Sequence, residues 1–176
     1  MVPDLACYGK VIGGGYPVSA IVGKREILQL ADPQQKGRGG RYCFLSGTLT
    51  ANPVACAAGL ATLNVLRQAG VYERLHLISQ RLADGLRQAG AGAGIPLQVL
   101  GDGPVLQVFF IDDKPLRNHR DLLRADKKKA VAFGHTLIRN CIYCAPGGKL
   151  YVSLAHSDED IERTIEVATE ALRAIA

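Results

Sequence analysis

The chain has 176 residues, 48% of them hydrophobic and 21% charged, with a formal charge of +5 at pH 7. That is enough to bury a core in one domain or two small ones, and no apolar run approaches the roughly 20 residues that span a bilayer. Aromatics at 6% and the lack of any zinc-finger, RNA-recognition or basic-zipper pattern argue against nucleic acid as the partner of the excess positive charge.

In chain order, residues 1 to about 48 are glycine-punctuated. CYGKVIGGGYPVSAIVG (7–23) places Lys10 ahead of Gly13, Gly14 and Gly15, with Pro17 beyond. Within it SAIVG (19–23) reads as a buried strand, and KREILQLA (24–31) as a short helix. The basic stretch KGRGGR (36–41) follows. Asn52 and Pro53 then mark a helix start, asparagine as cap and proline where its missing N–H costs nothing. The alanine-rich VACAAGLATLNVLRQ carries one glycine, so its backbone can approach a neighbour closely, and Gly70 is its expected stop.

A second helix is expected over 71–88, with Leu75, Ile78, Leu82 and Leu86 on one apolar face. LQVL (97–100) and VLQVFFI (105–111), separated by Gly101, Asp102, Gly103 and Pro104, read as antiparallel strands. A third helix covers about 126–140, where Lys127, Lys128 and Lys129 form a solvated face. LYVSL (150–154) is a further strand. The last helix opens at SDED (157–160), with Ser157 as cap, Asp160 three residues on, and Ile161, Ile165, Ala168 and Leu172 facing inward. Residues 67–176 thus read as a small α+β domain whose core begins at about 70. Residues 1–66 have too few apolar segments to enclose the glycine turn and read as the edge of something larger.

Two stretches point to chemistry. A nucleotide-hydrolase phosphate loop needs its lysine after the glycines, and Lys10 precedes them. A dinucleotide fingerprint needs glycine where Val18 stands. Two readings of Lys10 stay open: a solvated loop lysine, or an amine that reacts with an aldehyde beside backbone bare of side chains. In SGTLTANPVA (46–55), Ser46, Gly47, Thr48 and Thr50 put hydroxyls and N–H groups ahead of the Asn52 helix start. That is ordinary capping or a phosphate contact. Together the two stretches ask for a ligand carrying both an aldehyde and a phosphate.

Other candidates weigh toward structure. The five cysteines are odd in number and irregularly spaced, against a secreted disulfide framework and in favour of the cytosol; MVPDLACYGK has no leader-like layout. Cys141 and Cys144 form a C-x-x-C read as a strand with the two thiols on opposite sides, small apolar fillers rather than a metal or redox pair. His76, His119, His135 and His156 have no ligand spacing, so no metal site is expected; His156 is read as packing or capping beside the last helix.

PDLACYGKVIGGGYPVSAIVGKREI, SGTLTANPVACAAG and YVSLAHSDEDIERT resemble, in this order, the C-terminal part of class-III pyridoxal-phosphate aminotransferases, in the branch of glutamate-1-semialdehyde 2,1-aminomutase and its aminotransferase relatives. The resemblance implies an α/β chain of fold type I, with 1–66 the edge of the large cofactor-binding domain plus its connecting helix and 67–176 the small domain. It implies pyridoxal 5'-phosphate as cofactor, held by Lys10 as a Schiff base. Lys10 then acts as base and acid between substrate and cofactor carbons, with the cofactor ring as electron sink. It further implies that Gly47 and Thr48 reach the phosphate of the cofactor in the neighbouring subunit of a homodimer with shared sites. The substrates implied are a small amine or amino acid and a keto or aldehyde acceptor, with no nucleic acid or membrane.

The departures bear on activity. Members of the family are more than twice this length, and their upstream part carries the aspartate for the pyridine nitrogen, the ring-stacking aromatic and the main phosphate cup. The chain is therefore read as a fragment, inactive alone. Val2 to Leu5 match the interior of the large domain, so Met1 reads as an internal position. APGGKLYVSLAH (145–156) looks shorter than the corresponding aminomutase stretch, which carries a glutamate near the site. An aminotransferase thus fits as well as the aminomutase, and a non-catalytic remnant is the third reading. Lys149 is read as a solvated turn lysine, with contact to a substrate carboxylate as the alternative.

Overall fold

The computed structural model describes residues 2–37 and 39–175; Met1, Ala176 and Arg38 of the basic stretch lie outside the described residues. The chain divides into two compact units, residues 1–69 and 70–176.

In the first unit β1 (Leu5–Tyr8) pairs antiparallel with β2 (Ala20–Gly23), Leu5 opposite Gly23 and Tyr8 opposite Ala20. A 3₁₀ turn, Lys10–Gly13, leaves the end of β1, and the short α1 (Arg25–Leu28) follows β2 and passes into a 3₁₀ turn over Gln29–Ala31. Asp4 pairs with Lys24 across the open end of the ribbon. α2 (Pro53–Leu66) starts as read: the Asn52 carbonyl side chain accepts from the N–H groups of Val54 and Ala55, both at 3.1 Å, and Pro53 opens the helix. It ends at Leu66, short of Gly70. Gly70, at φ 84°, instead begins the next helix, so the left-handed turn expected to stop one helix starts another.

β2 corrects a second expectation. It is a strand, but Ile21 and Val22 are 48% and 45% exposed. Among the described residues of this unit only Gly13, Ala55 and Gly59 are buried, while Val11, Phe44, Val54 and Leu60 stand open. The apolar run reads as a buried strand, and two strands without a covering layer cannot supply that burial.

The second unit has its own core. α3 (Val71–Gly92), α5 (Lys127–Arg139) and α6 (Asp158–Ala174) pack around a three-stranded antiparallel sheet ordered β3 (Gln98–Leu100), β4 (Val105–Phe109), β5 (Lys149–Tyr151). A short α4 (His119–Leu122), which periodicity did not announce, is opened by a capping box between Asn118 and Asp121. Val99 lies opposite Val108, and Leu106 opposite Leu150. The alternation of β4 turns Leu106 and Val108 inward, into one core with Ile78, Leu82 and Leu86 of α3 and Ile161, Ala168 and Leu172 of α6; Leu75 of α3 is buried as well. Phe110 meets Phe133 of α5 edge to face, centroids 5.7 Å apart.

α3 continues to Gly92, four residues beyond its expected end. Two of its glycines, Gly85 and Gly90, serve packing: at Gly90 an added Cβ would run into the Leu97 side chain, 2.5 Å away. α6 opens with the predicted capping box, Ser157 N–H donating to Asp160 at 2.8 Å and Asp160 N–H to the Ser157 hydroxyl at 3.1 Å. On the surface Asp158 accepts from Arg74 at 2.7 Å, and Arg81 pairs with Glu162 at 2.5 Å, tying α6 to α3. Among the described residues no single helix is long and apolar enough to cross a membrane.

Candidate functional site

Lys10 begins the 3₁₀ turn that follows β1, its side chain exposed. Its φ is +54°, a left-handed conformation that costs a residue with a side chain about 1–2 kcal/mol and persists only where the surroundings fix it. Among the described residues no carboxylate lies within ion-pair reach of its amine. Behind it the backbone turns back on itself: Gly14 N–H donates to the Val11 carbonyl at 3.1 Å and Tyr16 N–H to the Gly13 carbonyl at 3.0 Å.

The turn is seated on α2. A Cβ at Gly59 would stand 3.1 Å from the Ile12 carbonyl oxygen and 3.5 Å from Val18 Cγ1, and a Cβ at Gly14, φ +56°, would land on Thr62 Oγ1. Thr62 Oγ1 itself donates to the Ala58 carbonyl at 3.0 Å. The close approach expected of the single glycine in this helix is therefore real, and its object is the Lys10 turn.

Gly47 and Thr48 lie in the tight turn that delivers the chain to α2. Thr50 N–H donates to the Gly47 carbonyl at 2.9 Å, and Ala51 is left-handed at φ +58°. Ser46, Gly47, Thr48 and Thr50 are all exposed. This turn sits at the N-terminal end of α2, whose first N–H groups are taken by the Asn52 side chain, so what favours an anion there is the helix dipole together with the exposed hydroxyls of the turn. The Lys10 turn packs at Gly59 and Thr62, about 10 Å further along the axis at 1.5 Å per residue. The two predicted stretches thus share one helix as mount, at different heights.

The remaining candidates are structural. Cys141 and Cys144 are not on a strand: Cys141 is exposed and left-handed at φ +65° just past α5, so it is no filler, whereas Cys144 is buried. Burial raises the Cys144 thiol, which points its S–H at the Gly134 carbonyl, 3.7 Å away. His156 Nδ1 accepts from Ser153 N–H at 3.0 Å, ordering the turn before α6 as expected. His76 Nδ1–H donates to the Tyr72 carbonyl at 2.8 Å, and His119 and His135 are exposed. Among the described residues no three metal-type side chains gather. Lys127 and Lys128 are exposed, as read, while Lys129 is half-buried. Lys149 stands exposed on β5, at a shallow surface groove of about 1000 Å³ that Arg139, His156 and Arg163 also line.

Sequence reasoning missed Gly59 and Thr62 as supports of the Lys10 turn. The signal was present in Ala55 and Gly59, small residues one helical turn apart, but nothing local named their neighbour.

Residues 1–172 match the family described as Aminotransferase class-III. The chain is 40% identical over 170 residues to a glutamate-1-semialdehyde 2,1-aminomutase of Desulfosudis oleivorans, covering 96% of this chain and 38% of that protein. To the enzyme of the same name from Desulforamulus reducens it is 42% identical over 178 residues, covering 100% and 40%. It superposes on the crystal structure of an omega-transaminase from Sphaerobacter thermophilus with a TM-score of 0.82 at 27% identity, over 97% of this chain and 38% of that one. The chain thus spans about two fifths of the length of the relatives it matches. With Lys10 in its glycine turn and the hydroxyl turn ahead of α2 lying within the matched span, and the fold shared with a solved transaminase, the chain belongs to the class-III aminotransferase family.

Proposed function

We propose that the chain carries the lysine half of a pyridoxal-phosphate site for amino-group transfer, with Lys10 as the residue that holds the cofactor. The observation that carries the reading is Lys10 itself: an exposed, unpaired amine, among the described residues, on a left-handed residue that a glycine turn and α2 hold in place. A structural surface lysine gains nothing from such strain; a residue that must present its amine to one atom does. The residues fit the cofactor at two points, the Lys10 amine and the exposed hydroxyls and N–H groups of the Gly47–Thr50 turn. When bound, pyridoxal phosphate supplies the electron sink for charge that develops on a substrate carbon. Lys10 Nζ would hold the group and, once released, carry a proton as base and then as acid. Thr48 and Gly47 would contact a phosphate from a second subunit of a homodimer, the site being shared between protomers.

The substrate in this reading is a small amine or amino acid, with a keto or aldehyde acceptor. An aminomutase acting on glutamate-1-semialdehyde is the second reading, favoured by the two relatives of that name at 40% and 42% identity. The chain by itself is expected to show no turnover, because the resemblance assigns the contacts to the pyridine nitrogen, ring face and main phosphate cup to residues upstream of these.

The test is covalent trapping. The 176-residue chain is incubated with pyridoxal phosphate, reduced with borohydride and mapped by peptide mass. Lys10 is expected to carry most of the adduct, and Lys10→Arg to abolish that peak while leaving the rest unchanged. Adducts spread over Lys24, Lys36, Lys114 and Lys127 with no excess at Lys10 would overturn the assignment. Appearance of 5-aminolevulinate from the semialdehyde with no second substrate, measured on the chain completed to family length, separates the aminomutase from the aminotransferase.

A further inference from the structure

We infer that Gly59 and Thr62 of α2 are positioning residues for Lys10, acting through the backbone of the glycine turn; the inference rests on the reading of Lys10 as the cofactor lysine. A 3₁₀ turn of four residues has little internal order, and Lys10 to Gly13 contribute one buried residue, Gly13. What fixes the turn is contact on its far side. Gly59 lets the α2 backbone come up against the Ile12 carbonyl, with 3.1 Å left where a Cβ would stand. Thr62 Oγ1 lies under Gly14, and its hydrogen bond to the Ala58 carbonyl, 3.0 Å, holds the hydroxyl in that place. Gly14 takes φ +56°, where a side chain is both strained and obstructed.

The seat therefore contains two interlocking contacts, one backbone against backbone and one hydroxyl against a glycine. Among the described residues the Thr62 hydroxyl bonds to the Ala58 carbonyl and not to Lys10. Gly59 and Thr62 both set where the Lys10 Cα stands, and a displacement of the order of an ångström at a reacting group costs up to about a hundredfold in rate. A merely structural glycine would behave differently. Alanine is the better helix former, so Gly59→Ala strengthens α2 as a helix while pushing the Ile12 carbonyl away by a few tenths of an ångström.

The experiment compares the wild-type chain, Gly59→Ala, Gly59→Val, Thr62→Val and, as a control on an exposed position of the same helix, Asn64→Ala. The first readout needs no cofactor: hydrogen exchange at the Gly14 and Tyr16 amides, which close the turn, against exchange in the body of α2. The second is the share of borohydride-trapped pyridoxal phosphate at Lys10. Gly59→Ala should speed exchange at both turn amides roughly tenfold and cut the Lys10 share by a similar factor, with α2 amides as protected as before. Gly59→Val should do more, Thr62→Val less, and Asn64→Ala nothing. Unchanged turn exchange in Gly59→Ala, or equal loss of protection throughout α2, overturns the inference. If the wild type labels Lys10 preferentially and Gly59→Ala does too, the positioning role falls and the Lys10 reading stands. If the wild type shows no preference, the Lys10 reading falls, and with it the positioning role.

Discussion

Ser79→Ala should stabilise the second unit. Ser79 lies on the inward side of α3, 1% exposed, and its hydroxyl oxygen has no hydrogen-bond partner among the described residues. A buried hydroxyl left unpaired costs about 1–3 kcal/mol. Alanine adds a few tenths of a kcal/mol in helix propensity, while the void of one oxygen, on the order of 10 Å³, subtracts about 0.2 kcal/mol. The net is about 1.5 kcal/mol in favour of the variant. For residues 70–176, an unfolding entropy of about 2.1 cal/mol/K per residue gives roughly 0.2 kcal/mol/K, so the midpoint should rise by about 7 °C. Thermal and urea unfolding followed by far-ultraviolet circular dichroism measures it, since α3, α5 and α6 dominate the helical signal. An unchanged or lower midpoint would refute the reasoning: the hydroxyl would then be paired in solution, by the preceding turn of α3 or by a held water.

Leu172→Ala removes a side chain with no exposed surface and should cost about 3 kcal/mol by urea unfolding. Gly134→Ala should also destabilise, although alanine favours helix, because the new Cβ would stand 2.5 Å from Pro146 Cα and a backbone atom cannot swing aside; a loss of about 1–3 kcal/mol is expected, and a gain would mean the 145–148 turn is free to move. The Asp160 carboxyl is held below its ordinary value of 3.8 by the Ser157 N–H, and Asp158 likewise by Arg74. Their folded values being depressed, their stabilisation is present above about pH 4 and lost as pH falls through the folded values. Asp160→Asn should therefore flatten the fall in midpoint between pH 5 and pH 3, and parallel curves for variant and wild type would contradict this.

Most of the second unit was legible because its signals are local. Ser157 names its own helix start, as Asn52 does in the first unit, and Leu75, Ile78, Leu82 and Leu86 draw one face at helical spacing. The four residues Gly101 to Pro104 could hardly be anything but a turn between strands. α4 escaped because four residues are too few to show a period, and Cys141 escaped because a left-handed non-glycine residue leaves no mark in composition. In the first unit the misreading of β2 has a different cause. SAIVG carries the hydropathy of a covered strand, and hydropathy reports what a residue would prefer to touch, not whether the chain at hand provides it. At the candidate site, motif resemblance singles out Lys10, Gly47 and Thr48, whereas the seat of the Lys10 turn on α2 depends on a long-range contact that no window of sequence contains.

The uneven distribution of buried residues has a practical side. A ribbon of two strands with three buried residues among the described residues of its unit opens far more often than a sheet whose inner face shares one core with three helices. Limited proteolysis should cut within residues 2–69 first and leave a resistant piece beginning near Gly70. The lysine proposed to hold the cofactor is thus borne by the segment least able to hold its own shape, and covering the exposed flanks of β1, β2 and α2 would steady the backbone beneath that amine as well as keep water from those side chains.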